Sequence, residues 1–358
     1  MKTIDTMRHV LITGGCGFIG SNLAVRFAHE GHRVTCLDNL ARRGSELILH
    51  RLREAGCAFV HGDIRSPEDL DRLGDGHDLL VECSAEPSVL VGASGNDAAF
   101  AINNNLVGSI HCMEFARKRG TPVLFLSTSR VYPYERLNGL AYRSMPTRTE
   151  CATEGLGISP TGVSETFPIE GARSLYGATK LCSELLLQEY GAQYGVPAII
   201  NRCGVVAGPW QMGKVDQGVF TFWLSSHHWG RPLRYIGFSG KGEQVRDLLH
   251  IDDLADLVVR QAARIGEFRG EVFNVGGSRT ANLSLAETTE LCRAITGRTV
   301  PIAVSLETRP ADVVWYISNI GKVSATFEWT PKRNAETVLY DTYQWLREHE
   351  KQLAPVFK

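Results

Sequence analysis

Apolar and polar positions change their period several times along the chain. Short β-branched or apolar runs near 8–13 (RHVLIT), 33–38 (RVTCLD), 58–61 (AFVH), 78–82 (DLLVE), 122–126 (PVLFL) and 197–202 (PAIINR) read as strands. Between them, segments near 19–30, 48–55, 97–119 and 174–195 are amphipathic with helical spacing. Strand, helix, strand in repetition predicts a parallel sheet covered on both faces, because parallel neighbours need a crossover connection. The expected fold class is therefore α/β, a doubly wound parallel sheet. After about Cys203 the rhythm gives way to a Gly- and aromatic-rich stretch. It returns with a helix near 251–265 and a strand near 271–275 (EVFNV), then ends in mixed elements. Residues 203–250 and 278–358 are thus expected to form a smaller, discontinuous second domain. The piece 133–173 has no clear period and is too long for a mere connector.

Composition narrows the function. With 358 residues and 43% hydrophobic content, the chain can bury a large core and divide into about two domains, which excludes a disordered chain. Lys and Arg number 38 against 39 Asp and Glu, and neither sign collects in a tail. No basic face for nucleic acid or anionic lipid is expected, so the partner is small. The nine Cys are scattered without a C-x-x-C pair, which suits a reducing compartment. The first ten residues are too polar for a signal peptide, and no apolar run approaches the ~20 residues of a membrane span. A cytoplasmic protein without a metal centre is expected.

Three motifs carry chemistry. In "VLITGGCGFIGSN", Gly15, Gly17 and Gly20 make G-x-G-x-x-G between a predicted strand and a helix, with Gly14 ahead of them. Such glycines let backbone approach a pyrophosphate, which the helix N-terminus then faces with donors and the positive end of its dipole. Asp38 ends the second predicted strand, where a carboxylate can accept both hydroxyls of an adenosine ribose and repel a 2′-phosphate. NAD is therefore favoured over NADP, although Arg42 and Arg43 follow closely. The second motif, "SLYGATK", sets Tyr176 and Lys180 on one helix face about 6 Å apart. The third, "LFLSTSRVY", brings Ser127 and Thr128 to the C-terminal end of a strand, the ligand edge of an open α/β sheet. A phenol of pKa ~10 is a poor base, and an adjacent ammonium with a charged nicotinamide favours phenolate.

Together "TGGCGFIG", Asp38, "STSRVY" and "SLYGATK" resemble the extended short-chain dehydrogenase/reductases, the NAD-dependent nucleotide-sugar epimerases and dehydratases, over nearly the whole chain. The resemblance implies a Rossmann domain over 1–202 and 251–277 that binds NAD, and a nucleotide-sugar domain over 203–250 and 278–358. It implies that Tyr176 is the catalytic base, that Lys180 lowers its pKa and binds the nicotinamide ribose, and that Thr128 hydrogen-bonds the reacting hydroxyl. The cofactor would be held by Gly14, Gly15, Gly17, Phe18, Ile19 and Gly20, by Asp38, Asn39 and Arg42, by Asp63 and Ile64 at the adenine, and by Ser84 and Asn105. A homo-oligomer, dimer or tetramer, is expected.

The chain also departs from the family. Glu82 stands where a His is common at the end of the fourth strand, and Ala207-Gly208 where Tyr-Gly is common after the sixth. Dehydratases and decarboxylases carry an acidic residue just after the Thr, whereas Ser129 and Arg130 follow Thr128 here. Epimerisation without elimination becomes the leading expectation. The segments "LDNLARRGS", "GPWQMGKVDQGVFTFW" and "GKGEQVRDLLHIDDL" resemble the CDP-paratose 2-epimerase (CDP-tyvelose epimerase) branch. That narrower resemblance implies substrate contacts from Asp216 and Gln217, and a diphosphate grip from Arg246 and Arg309. Glu86 lies near the expected nicotinamide pocket. Asp252 and Asp253 fit a helix start, and Trp210 and Trp223 fit packing. A UDP-hexose 4-epimerase, a sugar-nucleotide reductase and a non-catalytic NAD sensor are the alternatives.

Overall fold

The computed structural model describes residues 8–92, 97–213 and 218–357. Its first half supplies β1 (His9–Thr13), β2 (Arg33–Asp38), β3 (Ala58–His61), β4 (Leu79–Glu82) and β5 (Val123–Thr128). Four short strands follow: β6 (Tyr142–Ser144), β7 (Thr149–Cys151), β8 (Ile158–Ser159) and β9 (Gly162–Val163). Then come β10 (Ala198–Cys203), β11 (Val205–Ala207), β12 (Leu233–Ile236), β13 (Val245–His250) and β14 (Arg269–Val275).

One parallel sheet of seven strands runs in the order β3, β2, β1, β4, β5, β10, β14. The strand order reverses between β1 and β4, and a crevice opens outside the carboxyl ends there. Alternate residues fill the two faces, as the period of a strand requires. Val10, Ile12, Leu79, Val81 and Leu124 join one core with the helices Phe18–His29 and Ile251–Arg264. Leu11, Leu80, Val123, Phe125 and Ile200 join the other, with Gly108–Arg119 and Leu175–Tyr194. The segment expected as one helix over 97–119 is interrupted by a π turn at Asn103–Val107.

The second region is built on β13, which pairs with β11, with β15 (Asn282–Ser284) and with β17 (Trp315–Tyr316). A separate ladder joins β12 to β16 (Ile302–Ser305). The 133–173 piece holds two small hairpins, β6 with β7 and β8 with β9. Val163 ties it to this region by accepting from the Asn319 N–H and donating to the Ile317 carbonyl, each at 2.8 Å. Packing crosses the expected division in several places, among them Val206 and Leu249 in the core of the large sheet and Tyr132 stacked on Tyr316. The helix Gly321–Phe327 sends Val323 and Phe327, with Trp329, into the core of the large sheet, where Phe327 meets Phe273 edge-on at 5.2 Å. Among the described residues, no helix is long and apolar enough to cross a membrane.

Candidate active site

A cavity of about 1220 Å³ follows the carboxyl edge of the large sheet and continues beneath the second region. At one end lies the glycine turn after β1. Gly14 is left-handed (φ 63°), and a Cβ on it would come within 3.0 Å of the Cys83 backbone across the β1–β4 crevice. A Cβ on Gly20 would lie 2.2 Å from the Gly14 carbonyl oxygen, and one on Gly15 would lie 2.4 Å from Cys36 Cβ. The turn is thus pressed against β2, β4 and its own helix, and only glycine fits. Gly14, Gly17, Phe18, Ile19 and Gly20 line the cavity, whereas Gly15 supports the turn from behind. Helix Phe18–His29 begins at Gly17 without a side-chain cap, which leaves its first N–H groups for an outside acceptor such as a phosphate.

Asp38, at the end of β2, accepts from the Cys16 N–H at 2.9 Å and the Leu40 N–H at 2.8 Å. Burial raises its carboxyl pKa and the two N–H bonds oppose the rise. Asp63 accepts from Asn39 Nδ2 at 2.8 Å and pairs with Arg65, which holds its pKa down to about 2. Asn39, Arg42, Ile64 and Ser84 share the same wall. Asn105, inside the π turn, lies behind the wall. It donates to the Glu86 carbonyl (2.9 Å) and accepts from the Glu86 N–H (2.7 Å), so it shapes the loop after β4. A bare glycine turn, an uncapped helix start and a ribose-facing carboxylate fit an adenine dinucleotide.

The reacting end is set by the helix Leu175–Tyr194. Ser174 caps it, accepting from the Gly177 N–H at 3.2 Å, and Gly195 ends it in the left-handed region. Tyr176 and Lys180 line the cavity one turn apart, with Thr128 at the end of β5 beside them. Lys180 Nζ lies 3.4 Å from Glu82 Oε2 and 4.3 Å from the centre of the Phe125 ring. Lys180 acts on the phenol in the expected direction. Burial raises the Tyr176 pKa by more than Lys180, the Thr128 hydroxyl and Arg130 lower it. The Glu82 carboxyl beside the ammonium is itself raised by burial.

At the far end, Arg246 and Arg309 both line the cavity. Arg246 Nη2 pairs with Asp312 Oδ1 at 2.7 Å, and the guanidinium also donates to the carbonyls of Val245 and Val313. Burial pushes its pKa down to about 10. Glu86 lines the cavity, and its Oε1 accepts from the Ser88 N–H at 3.1 Å. Asp216 and Gln217 lie outside the described residues. Trp223 donates to Thr289 Oγ1 at 2.9 Å and stacks on Tyr235, while Trp210 lies between the Arg51 guanidinium and Trp345, so both pack as expected. Both also reach the cavity wall. Asp253 is held by Arg333 in the first turn of its helix. The sequence reading missed Arg130 and Asp312 as cavity residues; Asp312 stands in "ETRPAD", three positions after Arg309.

Residues 10–276 match the model of the NAD dependent epimerase/dehydratase family. The chain belongs to this family. Like other NAD dependent epimerases and dehydratases it is an enzyme with NAD as cofactor. It is 29% identical over 346 residues to CDP-paratose 2-epimerase from Salmonella typhi, covering 94% of this chain and 98% of that one. It is 28% identical to UDP-glucose 4-epimerase from Azospirillum brasilense, covering 96% and 93%. The solved UDP-glucose 4-epimerase from Thermotoga maritima, with UDP-glucose, superposes with a TM-score of 0.77 at 25% identity, covering 96% of this chain and 99% of that one. The glycine turn, Asp38 and the Tyr176–Lys180 face therefore stand in the fold that this epimerase/dehydratase family uses.

Proposed function

We propose that the enzyme inverts C2 of a CDP-linked 6-deoxy or dideoxy hexose, of the paratose and tyvelose type, through a transient 2-keto sugar. The observation that carries epimerisation over elimination is the state of the carboxylates in the cavity. Thr128 is followed by Ser129 and Arg130, and Asp38 is engaged by backbone N–H groups, Asp63 by Arg65 and Asp312 by Arg246. Glu86 Oε1 accepts from the Ser88 N–H, and the residues that directly follow Thr128 offer no carboxyl to protonate a departing hydroxyl. The CDP-linked, C2-directed form rests on the motif resemblance and on the 29% identity to a 2-epimerase.

In this reading Thr128 orients the sugar hydroxyl and Tyr176 Oη takes its proton. Lys180 holds the nicotinamide ribose and favours the phenolate. NAD, when bound, supplies a hydride acceptor that returns the same hydride, so it is not consumed. The ketose must present its other face before the return, so Arg246 and Arg309 keep the diphosphate while the ring turns in the cavity. Phe100 and Ile102 on the helix Ala98–Ile102, and Leu185 and Tyr194 on Leu175–Tyr194, are exposed apolar side chains that support a homo-oligomer. The free state of all nine Cys supports a cytoplasmic setting.

A UDP-hexose 4-epimerase is the second reading, since a 28% identical relative carries that name. Incubation with CDP-paratose, CDP-tyvelose, UDP-glucose and UDP-galactose, read by NMR, separates the two. Interconversion of the CDP pair is expected. Turnover of the UDP pair alone would replace the first reading by the second.

A further inference from the structure

Glu82 ends β4 with its carboxylate 1% exposed, 3.4 Å from the Lys180 ammonium, which is itself 2% exposed. Its second oxygen, Oε1, is buried, and the neighbouring Ser109 hydroxyl, which also reaches the Asn105 carbonyl at 2.9 Å, is among the described residues the one polar group besides Lys180 that lowers the Glu82 carboxyl. Burying a carboxylate and an ammonium together costs several kcal/mol that their attraction need not repay, so the pair beneath the base is a poor choice for stability alone. The other groups around the pair are accounted for. Burial raises the thiols of Cys83, Cys112 and Cys203 so that they stay neutral. Glu184, one turn beyond Lys180, is held by Arg202 at 2.7 Å and by Ser127. Arg130 is the further cation acting on Tyr176.

With one proton shared between them, on nitrogen or on oxygen, the Lys180–Glu82 pair has no net charge; burial raises the Glu82 carboxyl and the ammonium beside it opposes the rise. A lone ammonium one turn from Tyr176 would favour phenolate whatever the cofactor's redox state. With Glu82 in place, the cations left to act on the phenol are Arg130, present in both redox states, and the positive charge of oxidised nicotinamide, present in one. We propose that Glu82 is a positioning residue that cancels the Lys180 charge, so that Tyr176 ionises only beside the oxidised cofactor and stays protonated beside the reduced one. The inference rests on the assignment of Tyr176 as base. The balance of the step explains the benefit. Oxidation moves one hydride from the sugar carbon to the nicotinamide and one proton from the sugar hydroxyl to Tyr176 Oη. The return needs both, and a phenol that lost its proton in between would strand the ketose with reduced cofactor.

The test follows the ultraviolet absorbance of phenolate in the holoenzyme, loaded with NAD⁺ or with NADH, with the Tyr176→Phe signal subtracted. In the unaltered enzyme the Tyr176 signal should titrate at clearly lower pH with NAD⁺ than with NADH. Glu82→Gln should move both midpoints down by about one pH unit or more, and reduced cofactor should accumulate during turnover. Glu82→Asp should keep both near the original. If Glu82→Gln does not fold, Glu82→His, neutral above its own pKa, provides the same reading. Midpoints unchanged in a folded Gln or His variant would overturn the role of Glu82. Full turnover by Tyr176→Phe would overturn the base assignment, and with it this proposal. An inactive Tyr176→Phe beside unmoved Glu82→Gln midpoints would overturn the Glu82 role alone.

Discussion

Gly177 touches the backbone of Arg130, so closely that a Cβ on it would stand 2.1 Å from the Arg130 carbonyl oxygen. That contact seats the helix bearing Tyr176 and Lys180 on the turn that follows Thr128, and so fixes the three proposed catalytic groups relative to one another. Gly177→Ala must push helix and turn apart. Overpacking of this kind costs roughly 1–3 kcal/mol. The melting temperature should fall, and kcat should fall more than KM rises. Thermal unfolding with steady-state kinetics checks both.

The role proposed for Asp38 is the choice of dinucleotide. Its carboxylate stands at the ribose end of the cavity, where a 2′-phosphate would meet a like charge. The protein should bind NAD well ahead of NADP, and Asp38→Ala should narrow the gap, mainly by weakening NAD. Titration of each dinucleotide by intrinsic fluorescence decides this, and equal affinities in the unaltered protein would contradict it.

Removal of the phenol separates chemistry from binding. Tyr176→Phe should lower turnover by roughly 10²-fold or more while NAD still binds. Lys180→Ala should weaken turnover and NAD binding together, and should also destabilise the fold, because it leaves Glu82 buried without its partner. Kinetics, NAD titration and a denaturant melt distinguish the two variants.

Asp247 on β13 predicts a pH dependence of stability. Its Oδ2 accepts from the Ser318 N–H at 3.0 Å, Oδ1 has no partner among the described residues, and burial pushes its pKa up to about 6. A carboxyl raised in the folded state binds its proton more tightly there than in the unfolded chain. Its cost is absent below pH ~4 and develops as pH rises through about 6. At full development it amounts to about 2–3 kcal/mol. Unfolding free energies measured for the protein and for Asp247→Asn should therefore diverge between pH 4 and 6, with the unaltered protein losing stability relative to the variant as pH rises. Parallel curves would contradict the assignment.

Much of this architecture could be read from residue order, because buried parallel strands and their crossover helices leave strong local patterns. The 33–38 and 58–61 runs coincide with β2 and β3, and Ser174 and Gly195 bracket the Tyr176 helix. The π turn at Asn103–Val107 stayed hidden, since one inserted residue hardly disturbs a helical period. So did the hairpins between 142 and 163, whose strands of two or three residues are too short to show alternation. In the site, Asp38, Thr128, Tyr176 and Lys180 were legible because each sits in a local motif. Glu82 was visible only as a departure from the expected His. Its partner is 98 positions away in sequence, and only the packing of β4 against the helix brings the two together. The Arg246–Asp312 pair was hidden for the same reason, at a separation of 66.

Inversion by hydride removal and return is the claim on which the account stands, and isotope incorporation tests it most directly. The CDP-linked sugar is epimerised in D₂O and the product is examined by NMR and mass spectrometry. A hydride that leaves and returns through the bound cofactor carries no solvent hydrogen, so the account predicts inversion at C2 with protium retained there. Deuterium on C2 of the product, or inversion confined to C4, would contradict it.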